Sequence, residues 1–314
     1  MKTQALGLSD LISTRLAYGC MRIAGGWDPA KVTDGQRAAG RRAVIAAYEA
    51  GYRLFDHADI YCRGMCETVF GEALREAPEM RGNILIATKC GVGFPGEPNP
   101  DQPQRYDFSA EHILRSAEAS LKRLGVDTID LYQLHRPDFL MDPDEVAGAF
   151  EKLHRAGKVR WFGVSNFPPS KVAALESALV MPLIVNQVEI HLGRLDCFTD
   201  GTLDQCLAEQ MTPLAWSPLG GGLYGDGGTV DPTHPKREGV EALLALLDAT
   251  AKKYGVTRTA ISLAWLLKHP SHIIPIVGSA NPDHIRAAAR ADDIDLTRDD
   301  WYRILLAARM ERLP

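Results

Sequence analysis

Long hydrophobic runs are missing from this chain: no apolar stretch approaches the ~18 residues that a membrane span needs, and residues 1–10 carry neither the basic nor the apolar region of a secretory signal. Those two absences lead us to expect a cytoplasmic protein. An excess of basic charge is missing too, since 35 Lys and Arg stand against 40 Asp and Glu, a formal charge of −5. Neither nucleic acid nor a membrane surface is therefore an expected partner. The six cysteines (Cys20, Cys62, Cys66, Cys90, Cys197 and Cys206) are scattered through a chain that needs no staples, which fits reduced thiols better than a disulfide framework. Cys62 and Cys66 have the spacing of half a zinc site, but no second pair or His couplet completes it, so no metal is expected. Low-complexity linkers and shifts of composition are also absent, and 314 residues, 46% of them hydrophobic, run on without a marked domain boundary.

What is present is a rhythm. A short β-branched or apolar run, a polar loop and a stretch of helical spacing recur eight times, with strands predicted at 16–21, 53–59, 84–89, 129–136, 160–165, 183–189, 213–217 and 273–277. Val240, Leu243, Leu244, Leu247, Ala251 and Tyr254 step by threes and fours, as do Ile113, Leu114, Ala117, Leu121 and Leu124, each giving one apolar face to lay against a sheet. Asp142-Pro143-Asp144-Glu145 reads as an N-cap, a proline at the first helical position and a capping-box glutamate, and Asn281-Pro282-Asp283 opens a later helix in the same way. Parallel strands need helical crossovers like these. The simplest solution is an α/β chain folded as a single (β/α)8 TIM barrel over residues 1–314, with a doubly wound open sheet as the alternative. Residues 93–108 and 220–237, rich in Gly, Pro and Asp, break the rhythm after predicted strands, where barrel enzymes build their substrate loops.

Two glycine motifs mislead. Gly91-Val92-Gly93-Phe94-Pro95-Gly96 has the G-x-G-x-x-G pattern of a dinucleotide fold, yet Pro95, Pro98, Pro100 and Pro103 forbid the helix whose N-terminus should hold the pyrophosphate. Gly220-Gly221-Gly222-Leu223-Tyr224-Gly225 likewise runs into another Gly/Pro loop. A nucleotide has to be held in another manner.

Chemistry in a barrel sits at the C-terminal ends of the strands. The second predicted strand ends in Asp56-His57-Ala58-Asp59 with Tyr61 close behind, the third in Lys89 and the fourth in His135. Singly, Asp56 reads as a helix cap, Tyr61 as a packed ring, Lys89 as a snorkelling chain and His135 as a core histidine. Converging at one mouth, they need a reason, because burying a lysine with an aspartate is costly. A phenol with a pKa near 10 holds its proton firmly; a neighbouring ammonium should lower that value, Asp56 should keep Lys89 charged, and His135 should hydrogen-bond the substrate oxygen. Such a proton donor beside a carbonyl calls for a nicotinamide as hydride source. Ser165-Asn166 and Gln187 suit its carboxamide and Trp216 its ring, although a helix cap and a core aromatic are the plainer readings.

These residues resemble the aldo-keto reductase superfamily, in particular a bacterial oxidoreductase branch of it. The resemblance runs from Leu16-Ala17-Tyr18-Gly19 to Ile285 through Phe55-Asp56-His57-Ala58-Asp59-Ile60-Tyr61, Ala87-Thr88-Lys89-Cys90, Leu131-Tyr132-Gln133-Leu134-His135-Arg136-Pro137-Asp138, Gly163-Val164-Ser165-Asn166-Phe167 and Asn186-Gln187-Val188-Glu189. It implies reduction of aldehydes or ketones with NADPH, NADH being the alternative, by Asp56, Tyr61, Lys89 and His135, with Tyr61 as general acid. It further implies a cofactor site of Gly19 and Met21, the carboxamide-binding Ser165, Asn166 and Gln187, the stacking Trp216, the pyrophosphate loop of Ser217 and Leu219, and the adenosine-phosphate segment Gly278, Ser279, Asn281 and His284. That last segment departs from NADPH-preferring members: Gly278 and His284 stand where a lysine and an arginine often do, with Arg286 two residues on. No long C-terminal loop is expected, and the pocket should be open.

Three rivals are weighed. A Schiff-base aldolase needs a partly neutral lysine, which Asp56 opposes. A metal-dependent hydrolase could draw on His57, Asp59, His135 and His191, but no His pair of ligand spacing supports it. A nicotinamide-sensing regulatory subunit with little turnover is compatible with an intact tetrad, yet the chain carries no added domain or basic tail to engage a partner. The small carbonyl substrate is unnamed, and an acidic surface on a closed barrel is compatible with a monomer.

Overall fold

Short runs such as Leu85-Ile86-Ala87 and Leu131-Tyr132 alternate between two apolar surroundings, one inside a cylinder and one beneath a layer of helices, and that pattern builds the molecule. The computed structural model describes residues 1–97 and 99–313; Pro98, in the first long loop, and Pro314 lie outside the described residues. Eight parallel strands close the barrel: β1 Ala17–Gly19, β2 Leu54–Asp56, β3 Leu85–Cys90, β4 Ile129–Leu134, β5 Val159–Ser165, β6 Val185–Glu189, β7 Thr212–Trp216 and β8 Ile274–Val277. Each pairs with the next, and β8 pairs with β1. The TIM barrel is thus observed and the open sheet is not.

Several predicted strands run past the ladder. Cys20–Arg22 leave β1 as a single 3-10 turn, and His57 and Asp59 leave β2 although their amides still donate to the Ala87 and Lys89 carbonyls at 2.8 and 3.0 Å. Ala17, Leu54, Leu85, Ala87, Leu131, Leu214 and Ile274 fill the cylinder, and Leu6 and Leu11 of the N-terminal hairpin join them, plugging the end opposite the strand C-termini.

Ten α-helices are present among the described residues: α1 Asp34–Glu49, α2 Met65–Glu76, α3 Ala110–Leu124, α4 Pro143–Arg155, α5 Pro169–Glu176, α6 Thr202–Ala208, α7 Arg237–Tyr254, α8 Arg258–Leu267, α9 Pro282–Ala289 and α10 Arg298–Arg309. Neighbours α1 to α5 pack in sequence, and α9 lies on both α8 and α1 to close the outer ring. The apolar stripe of α7 is buried as expected, but against α8 and α10 rather than a sheet, because both α7 and α8 lie between β7 and β8 and only α8 packs on β8. Asp142 caps α4, accepting from Asp144 N at 3.0 Å. Glu145 completes no capping box; its carboxylate accepts instead from Ala110 N at 2.8 Å, serving the start of α3. Among the described residues no helix is long and apolar enough to cross a membrane, and all six thiols are unpaired and buried.

Two tryptophans join α8 to α10. Trp265 of α8 and Trp301 of α10 stack at 5.0 Å between ring centroids, and each indole N–H donates to the other's backbone carbonyl, at 3.1 and 2.9 Å. Trp265 is fully buried. Replacing it by Ala should destabilise the fold by about 3–5 kcal/mol, read as a lowered urea midpoint; an unchanged midpoint would show that α10 adds nothing to the core.

Candidate active site

Asp56 is the last residue of β2 and Lys89 the penultimate residue of β3, so both side chains rise from the filled cylinder into its mouth. Lys89 has no exposure to solvent. Its Nζ donates to Asp56 Oδ1 at 2.6 Å and to the His57 carbonyl at 2.7 Å, and Gln187 Nε2 donates to the same Asp56 oxygen at 2.8 Å. The ammonium lies 5.4 Å from the Tyr61 ring centroid, and Tyr61 meets His135 edge to face at 6.0 Å between centroids. All four members of the expected tetrad therefore share one locus.

Electrostatics there differ from expectation in one respect. Burial, reinforced by Asp56, pushes the Tyr61 phenol well above its ordinary value instead of lowering it. The reason is that Lys89 is matched by Asp56, so the pair presents little net positive charge to the phenol. Burial lowers the Lys89 ammonium against the opposing pull of Asp56. Burial and the charges of Lys89 and Arg136 hold His135 well below the usual histidine value, leaving a neutral imidazole.

The side chains that follow Asp56 face elsewhere. His57 packs edge-on against Phe70 of α2 at 4.4 Å between centroids, and burial takes its pKa down to about 3. Asp59, pushed up to about 8 by burial and by Glu67, belongs to a polar layer in which Glu67 accepts from Thr88 Oγ1 at 2.6 Å and from Arg123 Nε at 2.7 Å. His191 lies 3.4 Å from Glu189. The four groups of the metal-hydrolase reading thus do not converge, and among the described residues no three His, Cys, Asp or Glu form a metal-binding group.

Strand ends β5 to β7 make a second lattice. Ser165 Oγ donates to the Gln187 carbonyl at 2.9 Å, Asn166 Nδ2 donates to Ser165 Oγ at 2.8 Å, and Trp216 Nε1 donates to Asn166 Oδ1 at 2.9 Å. Asn166 and Ser217 both adopt left-handed backbone, with φ of 61° and 50°, which costs energy in non-glycine residues and re-aims the chain at the mouth. Asn166 caps no helix, since Pro168 stands at the N-cap of α5 without a side-chain bond.

A cavity of about 730 Å³ covers both lattices. Its wall includes Gly19, Met21, Asp56, Tyr61, His135, Ser165, Asn166, Gln187, Trp216, Ser217, Leu219, Gly278, Ser279 and His284. Lys89 lies beneath the wall. Asn281 is off it; its side chain accepts from Asp283 N at 2.9 Å and caps α9. Both irregular loops reach the cavity, the first through Gln104 and Tyr106 and the second through Gly221, Gly222 and Asp226. The first carries a two-stranded ribbon, Val92–Gly93 with Arg105–Tyr106. Sequence reasoning missed Arg22, Trp27, Arg136 and Thr259 on the wall. Of these only Arg136, directly after His135, carried a positional signal.

The cavity fits a nicotinamide dinucleotide. Its volume is in the range of cofactor sites, the Trp216 ring supplies a flat face, and Gln187 Oε1 makes no hydrogen bond among the described residues while its Nε2 is committed to Asp56.

Comparison with known proteins agrees with this geometry. Residues 15–307 match the model of the Aldo/keto reductase family. The chain is 40% identical to a 6-dehydroglucose reductase of Novosphingobium aromaticivorans, covering 98% of this chain and 96% of that protein, and 42% identical to the oxidoreductase YdhF of Escherichia coli, covering 83% and 84%. The glycerol dehydrogenase AKR11B4 from Gluconobacter oxydans superposes with a TM-score of 0.85 at 27% identity, covering 99% of this chain and 97% of that one. With its tetrad gathered at the mouth of a closed barrel, this chain belongs to the aldo/keto reductase family and is an oxidoreductase of it.

Proposed function

We propose that the protein reduces small aldehydes or ketones with NADPH, NADH being the alternative donor, and that Tyr61 is the general acid. The observation that carries this reading is the fully buried Lys89 ammonium, 2.6 Å from Asp56 and below the Tyr61 ring. A reduced nicotinamide, when bound over the barrel mouth, supplies the hydride. Ser165, Asn166 and Gln187 would hold its carboxamide and Trp216 would face its ring. Ser217, Leu219, Gly278, Ser279 and His284 would line the path of its phosphates, with Gly19 and Met21 opposite and Asn281 acting through the start of α9.

The substrate oxygen receives two donors. His135, kept neutral by burial and by neighbouring positive charge, gives one N–H, and the Tyr61 hydroxyl gives the other. As negative charge grows on that oxygen, Tyr61 passes over its proton; an alkoxide is a far stronger base than a phenolate, so a raised phenol still donates downhill. Lys89 then stabilises the phenolate, and Asp56 and the His57 carbonyl keep the ammonium in place. The 6-dehydroglucose reductase relatives make hydroxylated aldehydes a sensible part of the substrate panel.

Tyr61→Phe should keep NADPH binding, read by quenching of tryptophan emission, and lose at least ~10²-fold in turnover; normal turnover would remove Tyr61 from the mechanism. Lys89→Met should lose a comparable factor with the cofactor still bound, and full activity would show that Tyr61 works without it. Because the acid form of Tyr61 is the active one and its pKa lies above the ordinary value, kcat/KM for reduction should stay level from about pH 7 to 9, below the usual phenol range. A decline centred in that interval, lost in Tyr61→Phe, would contradict the raised phenol.

A further inference from the structure

Arg136 is a cation of the cavity wall to which this chemistry gives no task, and so is the exposed Arg22. Arg136 follows His135 at the end of β4, is half-buried, and holds its guanidinium 5.3 Å from the Trp216 ring centroid. It lines the same cavity as Tyr61 and His135. Several half-buried arginines have carboxylate partners, Arg15 on Asp292 at 3.2 Å, Arg81 and Arg160 on Asp130 at 3.2 and 2.9 Å, and Arg123 on Glu67 at 2.7 Å, while Arg53 and Arg105 donate to backbone carbonyls. Arg136, among the described residues, has neither a salt bridge nor a hydrogen bond from its guanidinium. The acids on the same wall are engaged elsewhere, Asp56 by Lys89 and Gln187 and Asp226 by Thr259 N at 3.3 Å.

A guanidinium lying over an aromatic face keeps its in-plane N–H groups free, and those groups match the two oxygens of an oxyanion. We propose that Arg136 receives an oxyanion carried by the carbonyl substrate, so that preferred substrates are short aldehydes or ketones bearing a carboxylate or a phosphate. This rests on the reductase reading above. On that reading the phosphates of the dinucleotide have their own residues on the β7 and β8 side, at Ser217, Leu219 and Ser279, whereas Arg136 follows His135 at the end of β4. One charge-assisted contact at a partly desolvated site corresponds to a preference of about 10-fold to 100-fold.

The test compares matched substrates at one ionic strength: succinic semialdehyde against butanal for the carboxylate, and glyceraldehyde 3-phosphate against glyceraldehyde for the phosphate. In the wild type, kcat/KM should favour the charged member of at least one pair by about 10-fold or more, mainly through KM, and the pair that shows it identifies the anion. Arg136→Gln should bring that pair to near parity, with Arg136→Lys in between, while NADPH still quenches tryptophan emission in each variant. Equal kcat/KM within both pairs in the wild type would overturn the inference and leave the reductase intact. A preference that survives in Arg136→Gln would overturn it as well, and weakened NADPH binding beside that surviving preference would assign the guanidinium to the cofactor. If the wild type neither binds a dinucleotide nor reduces any member of the panel, the reductase reading falls with it.

Discussion

Lys89 is paired with Asp56 in a place without solvent, and everything at the barrel mouth is arranged around that pair. An isolated buried ammonium would shed its proton, so the chain surrounds it with Asp56 Oδ1 and the His57 carbonyl, and braces Asp56 in turn with Gln187. Those contacts tie the neighbouring strands β2 and β3 to β6 across the barrel interior. Breaking a buried pair by deleting one partner generally costs about 3–5 kcal/mol. The ion pair therefore couples the integrity of the mouth to the chemistry performed there.

The same pairing sets the character of Tyr61. A lone ammonium would have pulled the phenol down, but a matched pair leaves burial in command and the phenol stays protonated. His135 is held neutral by the same desolvation together with positive neighbours. Two hydrogen-bond donors thus meet with little net charge between them, and Arg136, which no side chain among the described residues neutralises, is a positive group on the same wall. A site of this kind favours charge that develops on, or is carried by, what enters it.

Much of the fold was legible because parallel barrels demand it. Eight apolar runs, each followed by helical spacing, admit few topologies, and polar residues at strand ends pointed to Asp56, Tyr61, Lys89 and His135, which the fold gathers at one mouth. What escaped was non-local. Glu145 sits at capping-box spacing, yet its carboxylate goes to the start of α3, a neighbour that only the ring of helices supplies. The stripe on α7 told of burial but not of its partners, α8 and α10. His57 and Asp59 follow Asp56 in sequence, but turn toward Phe70 and the Glu67 layer once the chain leaves the ladder. The direction of the Tyr61 shift depended on how completely Asp56 matches Lys89, a matter of distances. Trp27 and Arg22 reach the cavity from an irregular segment without periodicity, so no pattern announced them.

The central claim is that this mouth holds a reduced nicotinamide against Trp216. Its most direct test is a titration of tryptophan emission with NADPH and, separately, NADH, in the wild type and in Trp216→Phe. Saturable quenching by at least one dinucleotide, diminished in the variant, is the expected result. Absence of saturable quenching with both, confirmed by calorimetry, would contradict the claim and leave the buried Asp56–Lys89 pair without the chemistry assigned to it.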